Sequence, residues 1–338
     1  MAPRRDEPTS LPVNGRALGQ LAKASVPAVT ARARQAVRTA LPFPLLPAPI
    51  PAGVEPPPRK RTVGADYDTD WARTYPARFA RVVLVEGLVR PTLGALASPT
   101  VKGLDRLTDL EGPVVFAANH HSHVDTPLLL TTIPEPWRHR LVIGAAADYF
   151  FGNRVTAPLS ALVIGAIPIE RQKVSRRSAQ QAVELIGEGW SFLIFPEGGR
   201  SPDGWGQEFK GGAAYLSSRT GAPVVPVFID GTGAIFGKGM KRPKPGRTRV
   251  IFGSPLRPAE GENTRRFNAR IEAAVTRLGD EAITDYWTAT KRAANGTNPK
   301  LTGPEYNGWR REWELSERRK LGAAGLRRRQ KRRWPDLG

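Results

Sequence analysis

Between residues 113 and 253, six short apolar runs recur, each closed by turn residues and separated from the next by a connecting stretch. They are Val114–Ala118, Leu141–Ala145, Ala166–Ile169, Phe192–Phe195, Val224–Ile229 and Arg249–Phe252. Runs this short that do not alternate with polar residues suit strands buried on both faces. The connecting stretches carry helix signals. Thr126-Pro127 sets a capping threonine before a proline at the first helical position. Ser175–Ile186 opens on a capping serine and closes at Gly187 and Gly189, and Gly211–Thr220 closes at Gly221. A further helix is expected over Thr264–Leu278. Strands alternating with helices predict an α/β fold: one central, largely parallel or mixed sheet flanked by helices. No internal repeat is visible.

The chain has no cysteine, which excludes a disulfide framework, a thiolate metal site and a cysteine nucleophile. It has four histidines, and 40% of its residues are hydrophobic, enough to bury a core. Its net charge of +20 is concentrated at the ends: residues 1–62 carry +7, residues 309–338 carry +7, and +6 is left for 63–308. The sequence therefore divides into a Pro/Arg-rich extension (1–62, twelve prolines), read as flexible linker, a folded domain (63–308), and a basic tail (309–338) with a charged Arg/Glu/Trp helix after Gly308. Basic ends suit anionic polymers or anionic lipid surfaces.

Residues 71–98 form a separate pattern, a mostly apolar helix studded with Arg73, Arg78, Arg81 and Arg90. Two readings stand: a helix lying in a membrane interface with its arginines at lipid phosphates, or a helix packed on the domain. It is not a span, because Phe79–Ser98 is broken by Arg81, Glu86, Arg90 and Pro91. Two acids in Met1–Glu7, and Pro42, Pro44, Pro47 and Pro49 cutting the stretch Leu41–Pro51, argue against a secretory leader. The expected location is the cytoplasm.

Three of the four histidines fall in Asn119-His120-His121-Ser122-His123-Val124-Asp125, directly after a strand and before a helix start. That is where ligand sites gather in α/β sheets. His121-x-His123-x-Asp125 resembles the metal-binding run of the metallo-β-lactamase fold. However, position 126 is Thr and no histidine follows His139, so the ligand set is incomplete and no metal is expected. General base catalysis fits better. His120 and Asp125 are spaced H-x4-D, and a carboxylate against an imidazole fixes its tautomer, leaving the other ring nitrogen to take a proton from a hydroxyl. With no G-x-S-x-G elbow, direct attack by a substrate hydroxyl is favoured over a covalent enzyme intermediate. Two strand ends supply arginines: Gly165-Ala166-Ile167-Pro168-Ile169-Glu170-Arg171 and Phe195-Pro196-Glu197-Gly198-Gly199-Arg200-Ser201. Two guanidinium groups beside a glycine turn suit a phosphate.

Together, N-H-x4-D, G-x-I-P-I-x-R, F-P-E-G-x-R-S and Val225-Pro226-Val227 resemble, in order, the four blocks of the glycerolipid (lysophosphatidate) acyltransferases, the PlsC-like family. The blocks cover about residues 119–228, a third of the chain. The resemblance implies that His120 deprotonates the free hydroxyl of a lysophospholipid and Asp125 orients it, with attack on an acyl thioester of CoA or acyl carrier protein. Neither a cofactor nor a metal is implied. Arg171, Glu197, Gly198, Gly199 and Arg200 would hold the acceptor, with the arginines on its phosphate and Lys210 adding charge; the Pro226 block would form one wall. Glu197, an acid that repels phosphate, would bond a glycerol hydroxyl, orient an arginine, or serve as a turn acid between Pro196 and Gly198. Position 199 is glycine where the family commonly has threonine, and His121 and His123 receive no role. The implied product is phosphatidic acid, and the implied place is the inner face of the membrane, held peripherally on anionic lipid. The alternatives are another lysophospholipid acceptor, hydrolysis by the same base, or polyanion binding through the basic ends. The last, which would make nucleic acid the partner, leaves the histidine cluster unexplained. The sequence does not give an oligomeric state.

Overall fold

The computed structural model describes residues 63–170, 176–201 and 204–303. Both basic ends, including the tail helix expected after Gly308, lie outside the described residues. In chain order the elements are α1 (Tyr75–Leu84), a π-helical segment (Val85–Val89), α2 (Arg90–Ala97), β1 (Pro99–Lys102), β2 (Val115–Ala118) and α3 (Asp125–Thr132). β3 (Leu141–Ala146), α4 (Ala147–Phe150), α5 (Thr156–Val163), β4 (Ala166–Ile169), α6 (Arg176–Gly187) and β5 (Ser191–Ile194) follow. The chain continues with α7 (Gly212–Thr220), β6 (Val224–Asp230), α8 (Thr232–Phe236), β7 (Thr248–Phe252), α9 (Thr264–Ile283) and α10 (Tyr286–Ala294).

All seven strands join one sheet in the order β1-β7-β6-β2-β5-β3-β4. The five strands from β6 to β4 are parallel, β7 is antiparallel to β6, and β1 runs parallel to β7. The sheet is thus mixed, with its parallel part in the middle, as the α/β reading expects. β1 is the strand the sequence did not announce. It is four residues long, at the sheet edge, and alternates half-buried with exposed, so it shows no apolar run.

The strand pleat divides the core into two layers. From β2, Phe116 and Ala118 face one layer, with Leu128, Leu129 and Leu130 of α3 and Val225, Val227 and Ile229 of β6. Val115 and Ala117 face the other, with Phe192, Val224, Ala213 of α7, and Phe267, Ile271, Val275 and Leu278 of α9. The expected helix Thr264–Leu278 runs on to Ile283, because its apolar face continues through Leu278 to buried Ala282.

Pro226 lies inside a central strand, where a proline normally breaks a ladder. Its carbonyl accepts the Gly253 N–H at 2.8 Å, so its nitrogen faces the β7 side just past the end of that strand at Phe252. The missing donor therefore takes nothing from the β2 ladder. Gly253 has no room for a side chain: a Cβ there would meet Pro226 Cγ at 2.7 Å and Leu278 Cδ1 at 3.1 Å.

The helix expected over 71–98 is a 3-10 turn (Asp70–Arg73) and then α1, the π segment and α2, ending at Ser98 with φ 37°. It packs on the domain through Val85, Leu93 and Ala97. Arg81 does not belong to its charged surface, as the sequence suggested. It is 3% exposed and its Nη2 donates to Leu141 O at 2.8 Å. Burial, with Arg78 nearby, lowers its pKa to about 10. Gly165, with φ 63°, makes room for this guanidinium; a Cβ there would lie 2.6 Å from both Arg81 Nη1 and Leu141 O. The outer side of the helix leaves Tyr75, Phe79, Val83 and Leu88 exposed. Among the described residues no helix is long and apolar enough to cross a membrane.

Candidate active site

The loops that leave the carboxyl ends of the parallel strands carry the histidine run and the Pro196–Ser201 turn, while the Gly165–Glu170 residues run along and out of β4 and Val225–Val227 lie within β6. His120 follows β2, Glu170 follows β4, Pro196–Ser201 follow β5, and α8 follows β6. β2 lies between β5 and β6, so the β2 loop is flanked by the other two. Asn119 fixes where that loop departs. Its buried amide donates to Ile229 O at 2.8 Å, and its Oδ1 accepts the Ile229 N–H at 2.7 Å, extending the β2–β6 ladder by a side chain.

Asp125 opens α3 and is fully buried. Its Oδ2 accepts from His120 Nδ1 at 2.8 Å, His121 N at 2.6 Å and Ser122 N at 2.7 Å. A carboxylate oxygen on Nδ1 requires the proton there, which leaves Nε2 with the lone pair. The imidazole lies flat on Phe195, with ring centres 4.1 Å apart and planes 20° apart, and keeps 17% exposure.

Glu197 is 3% exposed. Its Oε1 accepts the His120 N–H and its Oε2 the Gln207 N–H, both at 2.9 Å. Of the roles the sequence offered Glu197, on the acceptor, on an arginine or within the turn, these bonds bear on the last: the carboxylate holds two backbone amides, one of them that of His120. The carbonyl of His120 accepts the Ser201 N–H at 2.8 Å. The β2 and β5 loops are thereby bonded on both sides of the histidine.

Gly198 turns the β5 loop with φ 72°, a conformation that favours glycine. The side chain of Lys210 fills the space where a Cβ of Gly198 would stand, and the Lys210 N–H donates to Pro196 O at 2.9 Å. Gln207 Nε2 donates to Gly199 O at 3.0 Å and Arg200 O at 3.3 Å, bracing the turn from inside. Gly198, Gly199, Arg200 and Lys210 therefore share one turn beside the dyad. Arg171 lies outside the described residues.

His123 packs between Tyr149 (centres 5.6 Å apart) and Phe236 (5.2 Å). Burial first, then the charge of Arg200, lowers its pKa below the usual 6.5. Ser122 Oγ donates to Phe236 O at 2.8 Å, tying α8 to the histidine loop. Phe195, Gln207, Tyr149 and Phe236 received no role from the sequence. Only Phe195, standing inside the F-P-E-G block, carried a signal.

Residues 98–230 match the family model described as Acyltransferase. That match takes in the histidine run, both arginine blocks and Val225–Val227. A chloroplastic 1-acyl-sn-glycerol-3-phosphate acyltransferase of Brassica napus is 30% identical over 159 residues, 46% of this chain and 44% of that protein. A 1-acyl-sn-glycerol-3-phosphate acyltransferase of Pseudomonas aeruginosa is 32% identical over 180 residues, 52% of this chain and 66% of that protein. The chain thus spans about half the length of the curated relatives it matches. Among solved structures, the crystal structure of a PlsC-like acyltransferase from Thermotoga maritima has a TM-score of 0.46 and 24% identity, covering 62% of this chain and 85% of that one.

Proposed function

We propose that the protein transfers a fatty acyl group from the thioester of CoA or acyl carrier protein to the free hydroxyl of 1-acylglycerol-3-phosphate, giving phosphatidic acid. The observation that carries this reading is the buried Asp125 carboxylate on His120 Nδ1, with an exposed edge of the imidazole beside a turn holding Arg200 and Lys210. His120 Nε2 takes the hydroxyl proton as the oxygen attacks the thioester carbonyl. The C–S bond then breaks, and the imidazolium returns the proton to the leaving thiolate. Asp125 orients the imidazole and balances its positive form. Glu197 acts as a positioning residue through the His120 backbone. Arg171, Gly198, Gly199, Arg200 and Lys210 hold the acceptor, with the cations on its phosphate. The reaction as written needs no cofactor and no metal.

The acceptor is a lipid, and we place the protein peripherally on the anionic inner surface of the membrane. The row Tyr75, Phe79, Val83 and Leu88, with Arg78 and Arg90 on the same helix, supports this reading.

The test measures thiol release from an acyl thioester with and without lysophosphatidic acid, using the protein and His120→Ala. Release that needs the acceptor and disappears in the variant supports transfer. Release that ignores the acceptor points to hydrolysis instead. Full turnover by His120→Ala would remove the proposed base.

A further inference from the structure

The segment between α8 and β7, residues 237–247, reads Gly-Lys-Gly-Met-Lys-Arg-Pro-Lys-Pro-Gly-Arg. Five of its eleven residues are cations, and no acid occurs from Gly231 through Ala259. Lys238, Lys241, Arg242, Lys244 and Arg247 are all exposed. Among the described residues, Lys241, Arg242, Lys244 and Arg247 take part in no ion pair. The segment is not a loose excursion. The Lys244 N–H donates to Ile235 O at 2.9 Å, the Gly246 N–H to Leu96 O at 2.9 Å, and the Met240 N–H to Gly237 O at 3.3 Å. Pro243 and Pro245 stiffen it further. A charged surface held this rigidly is pre-organised for a partner.

Its position ties it to the proposed reaction. The segment begins immediately after Phe236, whose ring contacts His123 and whose carbonyl accepts Ser122 Oγ. Lys241 is five residues on, so it lies within about 17 Å of that wall even if the chain were fully extended. That is within reach of the long pantetheine arm on which acyl thioesters are carried.

We infer that residues 238–247 are the docking surface for an acidic protein that presents the acyl thioester on such an arm, an acyl carrier protein. This inference rests on the acyl-transfer reading above. A protein surface fits better than a nucleotide. Small-molecule sites are concave with a few convergent polar groups, whereas these cations are all exposed and strung along a segment with no aromatic residue to meet a base. It also fits better than a lipid surface. No large exposed hydrophobic side chain accompanies the cations, whereas an interfacial segment buries apolar side chains beside its charges. The exposed row Tyr75–Leu88 ends eight residues before Leu96, about 12 Å along the helix from where the segment is anchored.

The experiment compares the full chain with Lys241→Gln/Arg242→Gln/Lys244→Gln/Arg247→Gln. Donors are acyl carrier protein and CoA bearing the same fatty acyl group, and the acceptor is lysophosphatidic acid in neutral detergent micelles. The variant is expected to lose about 10–100-fold in kcat/KM with the carrier-protein donor, through KM, with kcat and the acyl-CoA reaction little changed. The wild-type carrier-protein rate should fall steeply with added salt, and the variant's should be nearly flat. Excess holo carrier protein without an acyl group should inhibit the wild type and spare the variant. Equal losses with both donors would overturn the inference in favour of CoA phosphates. Unchanged carrier-protein kinetics with lost binding to anionic vesicles would overturn it in favour of lipid. A wild type active with acyl-CoA and inactive with the carrier protein overturns it while leaving acyl transfer standing. A wild type inactive with both donors refutes the acyl-transfer reading itself.

Discussion

Replacing Glu197 by glutamine keeps the side chain's shape and exchanges one carboxylate oxygen for an NH2 group. In the structure both oxygens are acceptors, from His120 N and Gln207 N at 2.9 Å, at a side chain 3% exposed. The amide oxygen can keep one of these bonds. The NH2 group then faces a backbone N–H that water does not reach. A hydrogen bond to a charged group contributes about 1.5–3 kcal/mol, and a buried donor left unpaired costs about 1–3 kcal/mol. Because the relaxed variant recovers part of this, a net loss of about 2–4 kcal/mol is expected. Urea unfolding should show it as a lower midpoint at an unchanged slope. Whichever bond is kept, the neutral amide holds the His120 backbone less firmly than the carboxylate does, so kcat should fall by about 10²-fold, as expected for a misplacement near 1 Å, while KM for the acceptor stays close to its original value. An unchanged urea midpoint with a raised acceptor KM would refute the reasoning, and would return Glu197 to the substrate contact its sequence position suggested.

Other predictions follow the same geometry. Asp125→Asn should cut kcat by about 10³–10⁴-fold, because the amide no longer selects the Nδ1–H tautomer; a loss below tenfold in steady-state assays would remove Asp125 from the mechanism. Gly165→Ala should destabilise by about 2–3 kcal/mol, since φ 63° and the contacts with Arg81 and Leu141 O both oppose a Cβ; chemical unfolding measures it, and activity per folded molecule should persist. Burial lowers the pKa of His123 and of His139, so the folded chain binds fewer protons than the unfolded one. Their contribution to stability is therefore complete above the ordinary value of 6.5 and is lost as pH falls through the folded values. The unfolding free energy should drop between pH 7.5 and 5, less so in His123→Phe/His139→Gln. Phe79→Glu/Val83→Glu should reduce sedimentation with anionic vesicles while sparing activity on micellar substrate; retained vesicle binding would count against the helix face.

The parallel strands were readable to within about one residue, because burial on both faces writes itself as a continuous apolar run. β1 was not, since an edge strand of four residues half in water has no such signature. α4, α5, α8 and α10 also went unread: the first and third are shorter than two helical turns, too short for a periodic pattern. In the site, the His120–Asp125 pair was legible because both partners fall in one seven-residue run, the acid opening a helix. Glu197 was legible as a residue and illegible as a direction. Its contact with His120 spans 77 positions, and only the β2–β5 pairing in space brings them together. The same holds for Arg81, whose charge suggested solvent while its hydrogen bond, 60 residues away, holds it inside.

Pro226 has a consequence for the folding of the sheet's mixed end. Two-residue slips between antiparallel strands preserve which face each side chain occupies, so burial alone does not forbid them. Here a slip that slid β7 further along β6 would set a carbonyl opposite a nitrogen with no hydrogen, and would pull Gly253 away from the only kind of residue that fits against Pro226 and Leu278. The proline thus interrupts the ladder: β7 pairs regularly with β6 from Asp230 to Val227, Gly253 makes a single bond to Pro226, pairing resumes only at the Val224–Leu256 bridge, and β1, whose partner is β7, inherits the alignment that this interruption fixes.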